Sequence, residues 1–170
     1  MSIQHCFERG TVVADLHGTD KYEALRELIH QAPVFREISP IDSFENAVID
    51  REKLQGTCLG HGVAVAHGRA PGLKRVLIAL GVSRAGIACD SPDGLPVRLL
   101  FVIASPPHVS LDYLHALSTL VRCLRDPRVR DELLAGFDPA DIEARLRSVF
   151  SLSPAPARPL AGRKPCSAAG

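Results

Sequence analysis

The sequence predicts an α/β fold in a single domain, on three observations. Residues 74–80 (KRVLIAL) and 97–104 (VRLLFVIA) are short apolar runs. The second is apolar through most of its length, as an interior strand covered on both faces should be. Segments with apolar residues at three- and four-residue spacing precede and follow them, each opened by a capping residue or an Asp-Pro pair. The 170 residues, 46% hydrophobic and 23% charged, suit one packed core better than two or a disordered chain.

In chain order, residues 10–16 contain Thr11, Val12 and Val13 and read as a short strand. Asp20 then opens an amphipathic helix over 20–31, with Tyr22, Leu25, Leu28 and Ile29 at helical spacing. A second helix is expected to start with Ser39 as cap and Pro40 at the first helical position. Ile41, Phe44 and Val48 line one face of it through about Lys53. Residues 56–68 (GTCLGHGVAVAHG) combine glycines for tight turns with a small apolar strand over 63–66 that ends at His67. Residues 89–96 (CDSPDGLP) form a turn-rich link between the two apolar strands. After Pro106-Pro107, Ser110 is placed to cap a helix burying Leu111, Leu114, Leu117, Leu120/Val121 and Leu124. Asp126-Pro127 starts another helix, with Val129 and Leu133 apolar and Gly136 as its stop. Asp138-Pro139 starts the last, which carries Ile142, Leu146 and Val149 to Phe150. No internal repeat is apparent. The domain is therefore expected over residues 1–150, and the Pro/Ala/Ser-rich residues 151–170 are expected to form a flexible tail.

Composition narrows the function. The net charge is +1 with acids and bases interspersed, so no basic stripe favours nucleic acid. Five cysteines (Cys6, Cys58, Cys89, Cys123, Cys166) lack a CxxC pair or zinc spacing. They are expected to be reduced and packed as small hydrophobes. Seven histidines form no HxH or HxxxH pair, so neither a metal nor a cofactor is expected. The opening MSIQHCFERG lacks a signal-peptide core and no apolar run reaches membrane-spanning length, which predicts a cytoplasmic protein without membrane insertion.

One segment carries more specific information. Residues 51–68 (REKLQGTCLGHGVAVAHG) resemble the signature of enzyme IIA domains of the mannitol, fructose and nitrogen-regulatory type in the bacterial phosphotransferase system. That pattern is roughly R-E, a short link, then S-T-G-I-G-N-G-I-A-I-P-H-G. Arg51, Glu52, Thr57, Gly60, Gly62, Ala64, His67 and Gly68 stand at matching places. Further on, Asp90, Asp93, Pro96 and Val97 match the F-D-x-x-D-G-x-P-V segment, and YLHALSTL resembles the H-L-x-x-L-S-x-L helix. Ala66 stands where proline is usual and His61 where asparagine is usual. Tyr113 stands where the family has its second active-site histidine.

The resemblance implies a mixed central sheet with helices on both faces, and phosphorylation of His67 by a phosphohistidine of the small histidine phosphocarrier protein. A neutral imidazole is a competent nucleophile near pH 7. Transfer between two histidines then needs in-line positioning and donors around the phosphoryl oxygens. Arg51 is the foremost candidate for phosphate stabilisation, because its planar fork matches phosphoryl oxygens, and Arg69 is the weaker one. Arg51 can equally be a helix-end cation that completes the helix dipole. Thr57 either donates a hydroxyl to the phosphate or closes a turn; Tyr113 either donates where the family has histidine or packs at a helix start. His115 lies two positions beyond Tyr113, which turns its side chain by about 200° on a helix. His61 either borders the site or accommodates the turn. His5, His17 and His30 read as surface residues, and His108 as a loop alternative to Tyr113.

Three functions follow from the resemblance. The first is a phosphoryl-relay protein of the nitrogen-regulatory branch, acting on a regulatory target protein and favoured by a chain without a fused transport domain. The second is a sugar-specific enzyme IIA that passes its phosphate to a cysteine of enzyme IIB. The third is a protein-binding module that has lost turnover with the substitution at Tyr113.

Overall fold

A computed structural model describes residues 6–7, 9–108 and 111–151. Its centre is a five-stranded mixed sheet in the order β1-β4-β5-β3-β2. The strands are β1 (Val12–Val13), β2 (Cys58–Gly60), β3 (Val63–Arg69), β4 (Leu77–Ile87) and β5 (Val97–Ser105). β1 runs parallel to β4 and β3 parallel to β5, whereas β4–β5 and β2–β3 are antiparallel. The helices are α1 (Lys21–Gln31), α2 (Ile41–Leu54), α3 (Leu111–Leu124), α4 (Pro127–Leu134) and α5 (Pro139–Ser151).

The sheet is covered on both faces because successive strand residues point to opposite sides. Ala64, Ala66, Leu100 and Val102 pack with α1 and α2, around Leu25, Leu28, Phe44 and Val48. Val63, Val65, Leu99, Phe101 and Ile103 pack with the other three helices, around Leu120, Leu133, Leu146 and Phe150. Among the described residues, no helix is long and apolar enough to cross a membrane.

Capping follows the sequence in part. The Asp20 carboxylate accepts the Tyr22 and Glu23 amides at 2.7 and 3.0 Å, and Asp126 accepts the Arg128 amide at 2.9 Å. Ser39 does not cap α2. Pro40 itself occupies the cap position, and no side chain closes that helix end. The cap expected at Ser110 lies outside the described residues. So does the expected tail beyond Ser151, the residue that ends α5 one position past Phe150.

Other boundaries shift. The first strand is only two residues long, and Pro33–Glu37 forms a 3-10 turn that the sequence did not announce. β4 begins at Leu77 rather than residue 74 and continues to Ile87, because the ladder to β5 pairs Val82 with Leu99 and Ile87 with Val97. The strand expected to end at His67 runs on to Arg69 and is half of a hairpin, with β2 on the sheet edge.

One expectation is overturned. Cys58 and Cys89, 31 residues apart in the chain, form a disulfide instead of packing as separate thiols. Both flank the α1–α2 core, Cys58 at the start of β2 and Cys89 just after β4, and tertiary packing brings them together.

Candidate functional site

His67 is the fifth residue of β3, paired with Ile103 of β5 in the middle of the parallel ladder. It falls in phase with Val63 and Val65, so its ring leaves the sheet on the α3 side. There it meets Tyr113, with ring centroids 5.7 Å apart and planes inclined at 45°. Gly68 faces the opposite way. A Cβ there would lie 2.6 Å from Val48 Cγ2 and 3.0 Å from the Val48 amide nitrogen, so only glycine lets α2 sit this close to the strand beside His67. That approach brings the last turn of α2, with Arg51 and Glu52, within electrostatic reach of the imidazole.

The ring is half-buried, and its environment favours the neutral form. Burial is the main cause of a pKa below 6.5, and the Arg51 guanidinium adds to it while Glu52 opposes it. A neutral ring keeps a lone pair free at pH 7. The sign of the pH dependence follows. The neutral ring's stabilisation of the folded state is complete above pH 6.5, the unfolded value, and is lost as pH falls through the lower folded midpoint. We predict that an NMR titration of the His67 ring gives a midpoint below 6.5. Arg51→Gln should raise that midpoint without carrying it past 6.5, and a wild-type midpoint at or above 6.5 contradicts this account.

The other predicted residues divide. Arg51 is half-exposed, holds the Gln55 carbonyl at 3.4 Å with one guanidinium nitrogen, and exerts its field on both His67 and Tyr113. Arg69, at the end of β3, also acts on Tyr113, whose phenol burial pushes upward in pKa so that it stays a protonated donor. Thr57 is engaged elsewhere. Its hydroxyl donates to Glu52 Oε2 at 2.5 Å and its amide to Glu52 Oε1 at 3.0 Å, which directs its one hydroxyl proton away from His67. His115 lines a groove on the outer face of α3 with Arg122 and with Leu111 and Leu114, which are exposed there rather than buried as expected, on the side opposite Tyr113, as the helical turn requires. His108 is exposed in the loop after β5.

Sequence reasoning gave no part to three features around this site. Glu52 is buried at 2% exposure and forms an ion pair with Lys21 Nζ at 2.9 Å, besides accepting both Thr57 donors. Its place directly after Arg51 in the motif was a usable signal; Lys21 offered none. Asp93 accepts the His61 amide at 2.6 Å, the Ser91 hydroxyl and the Leu95 amide, and these bonds hold its carboxyl at about 2. That anchor fixes the β2–β3 turn, where His61 takes the left-handed φ of 56° that asparagine adopts readily. The third is the Cys58–Cys89 bond. Separately, His30, Asp42 and Glu45 bring ligand atoms within 4.8 Å of one another. Glu45 is already paired there with Arg26 and His30, so an ion-pair cluster between α1 and α2 accounts for them.

The arrangement is a half-buried imidazole against a phenol, in the field of Arg51, with Arg69 acting on the phenol. Residues 5–149 match the family described as phosphoenolpyruvate-dependent sugar phosphotransferase system, EIIA 2. The nitrogen regulatory protein of Bradyrhizobium diazoefficiens is 34% identical over 146 residues, covering 86% of this chain and 92% of that protein. That of Pseudomonas aeruginosa is 33% identical over 127 residues, covering 73% and 80%. The crystal structure of nitrogen regulatory protein IIA-Ntr from Neisseria meningitidis superposes with a TM-score of 0.75 at 27% identity, covering 87% of this chain and 98% of that one. The chain belongs to the EIIA 2 family of the phosphoenolpyruvate-dependent sugar phosphotransferase system.

Proposed function

We propose that this protein accepts a phosphoryl group on His67 from the histidine phosphocarrier protein and regulates a target protein according to its phosphorylation state. The observation that carries this reading is the half-buried His67 ring, held neutral and set against Tyr113 within the field of Arg51. In the transfer, the His67 lone pair forms a P–N bond as the P–N bond to the carrier's histidine breaks, and the carrier's ring leaves with the electron pair. Arg51 offsets phosphoryl charge, and the Tyr113 hydroxyl donates to one phosphoryl oxygen. Glu52, through Thr57 and Lys21, holds the segment beside them.

The nitrogen-regulatory branch is favoured because relatives bearing that name align over most of their own length. A cytoplasmic location follows from the carrier proposed as donor. The family's description as a sugar system supports the second reading, in which a cysteine of enzyme IIB takes the phosphate. The test is incubation with phosphoenolpyruvate, enzyme I and the phosphocarrier, followed by intact mass measurement at alkaline pH. One added phosphoryl group is expected. Adding the candidate enzyme IIB then separates the readings, since only a sugar-specific protein discharges to it. A chain that gains nothing is a binding module.

Tyr113 tunes this transfer. A protonated histidine there would offer a charge-assisted hydrogen bond, roughly twice as strong as the phenol's neutral one. We predict that Tyr113→His speeds labelling several-fold, a difference on the order of 1 kcal/mol, and that Tyr113→Phe slows it modestly. His115→Ala should change little, because that ring faces the outer groove. Loss of labelling in His115→Ala, with both Tyr113 variants unaffected, would exclude this assignment.

A further inference from the structure

We infer that Cys58 and Cys89 form a reversible thiol–disulfide modification site, through which a low-molecular-weight thiol/disulfide couple of the glutathione type sets the reactivity of His67; this rests on His67 as acceptor. Three observations carry it.

The bond is reachable. Both cysteines are only partly buried, and Cys89 lines an open surface cleft with Asp20, Lys21, Tyr22, Ala88 and Asp90. Exposed disulfides are the labile class, whereas structural ones are shielded. Neither cysteine is among the fully buried core residues; both pack at the margin of the α1–α2 core.

The cleft suits exchange chemistry. Lys21 lines the same cleft as Cys89, with its ammonium 2.9 Å from Glu52, and a cation near a cysteine favours thiolate over thiol. In the reductive direction a small thiolate attacks Cys89 Sγ, the S–S bond breaks and Cys58 leaves as a thiolate that takes a proton. A second small thiol then attacks the mixed disulfide and releases Cys89. Two small thiols are oxidised to their disulfide, and the protein disulfide is reduced to two thiols.

The site is coupled to the acceptor. Cys58 directly follows Thr57, which gives both its donors to Glu52, and the Thr57 carbonyl accepts the Val65 amide two residues before His67. On the other side, Cys89 follows Ala88, whose amide bonds the Thr19 carbonyl just ahead of Lys21, and Lys21 closes on Glu52. The disulfide thus tethers both segments that hold Glu52, the neighbour of Arg51. Reduction releases the tether and loosens the setting of Arg51 against His67.

The experiment equilibrates the full chain in oxidising and reducing glutathione buffers, counts thiols by alkylation and mass, and reads two signals. These are the rate of His67 labelling by the phosphocarrier and the NMR resonances of the His67 ring. The oxidised protein should carry a Cys58–Cys89 bond, and reduction should slow labelling several-fold and shift the His67 resonances. Cys58→Ser and Cys89→Ser should each behave like reduced wild type in both buffers. Thiols that stay unpaired in oxidising buffer overturn the proposal, as do a rate and resonances indifferent to reduction. If wild type labels in neither state, the acceptor assignment fails by itself. The His67 resonances then decide the coupling: a redox-dependent shift supports it and constancy overturns it.

Discussion

A His67→Ala protein should take up no phosphoryl group under conditions in which wild type takes up one. The expectation rests on position as well as chemistry. Among the histidines considered from the sequence, His61 is exposed on a turn, His108 is exposed in a loop and His115 lines the outer face of α3. His67 combines a ring held below its ordinary pKa with a phenol against it and a guanidinium in electrostatic reach. The loss should be catalytic rather than structural. Backbone pairing of residue 67 with Ile103 does not need the side chain, and the ring is only half-buried, so the unfolding midpoint should move by a few degrees at most. Intact mass after the full phosphotransfer cascade, with a thermal melt alongside, is the measurement. A folded His67→Ala protein that labels like wild type would exclude His67 as acceptor.

The fold was legible where local pattern and tertiary environment agree. The runs at 97–104 and around 77–80 are apolar because they lie between two helical layers, so burial wrote their sequence. α1 and α4 announced themselves through Asp20 and Asp126, whose carboxylates cap as expected. The second half of β4 was not legible. Its GVSRAGI has no strand pattern of its own and is held by pairing with Val97 and Leu99 on β5. β2 was missed for the same reason, since three residues on a sheet edge take their form from β3.

At the site, sequence order revealed what one segment contains and concealed what distant segments contribute. Arg51, Glu52, Thr57 and His67 lie within one stretch, and the resemblance marked their places. It could not show that the Thr57 hydroxyl turns to Glu52. Lys21 and Cys89 reach the same region from α1 and from the loop after β4, far in sequence from the segment at 51–68.

Lys21→Met should be the most destabilising substitution near the site. Glu52 keeps only 1% of its side chain exposed, and Lys21, at 14%, supplies its cationic partner among the described residues in the ion pair at 2.9 Å. The ammonium bears a desolvation penalty, but the hydrogen bond and charge of Glu52 outweigh it and raise the lysine pKa. The pair's contribution is therefore present below pH 10.5 and is lost as pH rises through the higher folded value. Methionine matches the stem length but leaves the carboxylate buried with only its two Thr57 donors. Breaking one partner of a buried pair costs about 3–5 kcal/mol, roughly ten degrees of unfolding midpoint for a domain of this size. Glu52→Gln should cost less, because the partly exposed ammonium of Lys21 can turn to water while the amide oxygen still accepts from Thr57. Combining Lys21→Met with Glu52→Gln should recover part of the loss, because no unpaired charge then remains buried. Denaturant unfolding of the four proteins in a double-mutant cycle measures the coupling. A Lys21→Met cost below about 1 kcal/mol, the range of an exposed surface pair, would show that Glu52 does not depend on Lys21. A double variant no more stable than Lys21→Met would place the loss in packing of the lysine stem rather than in the buried charge.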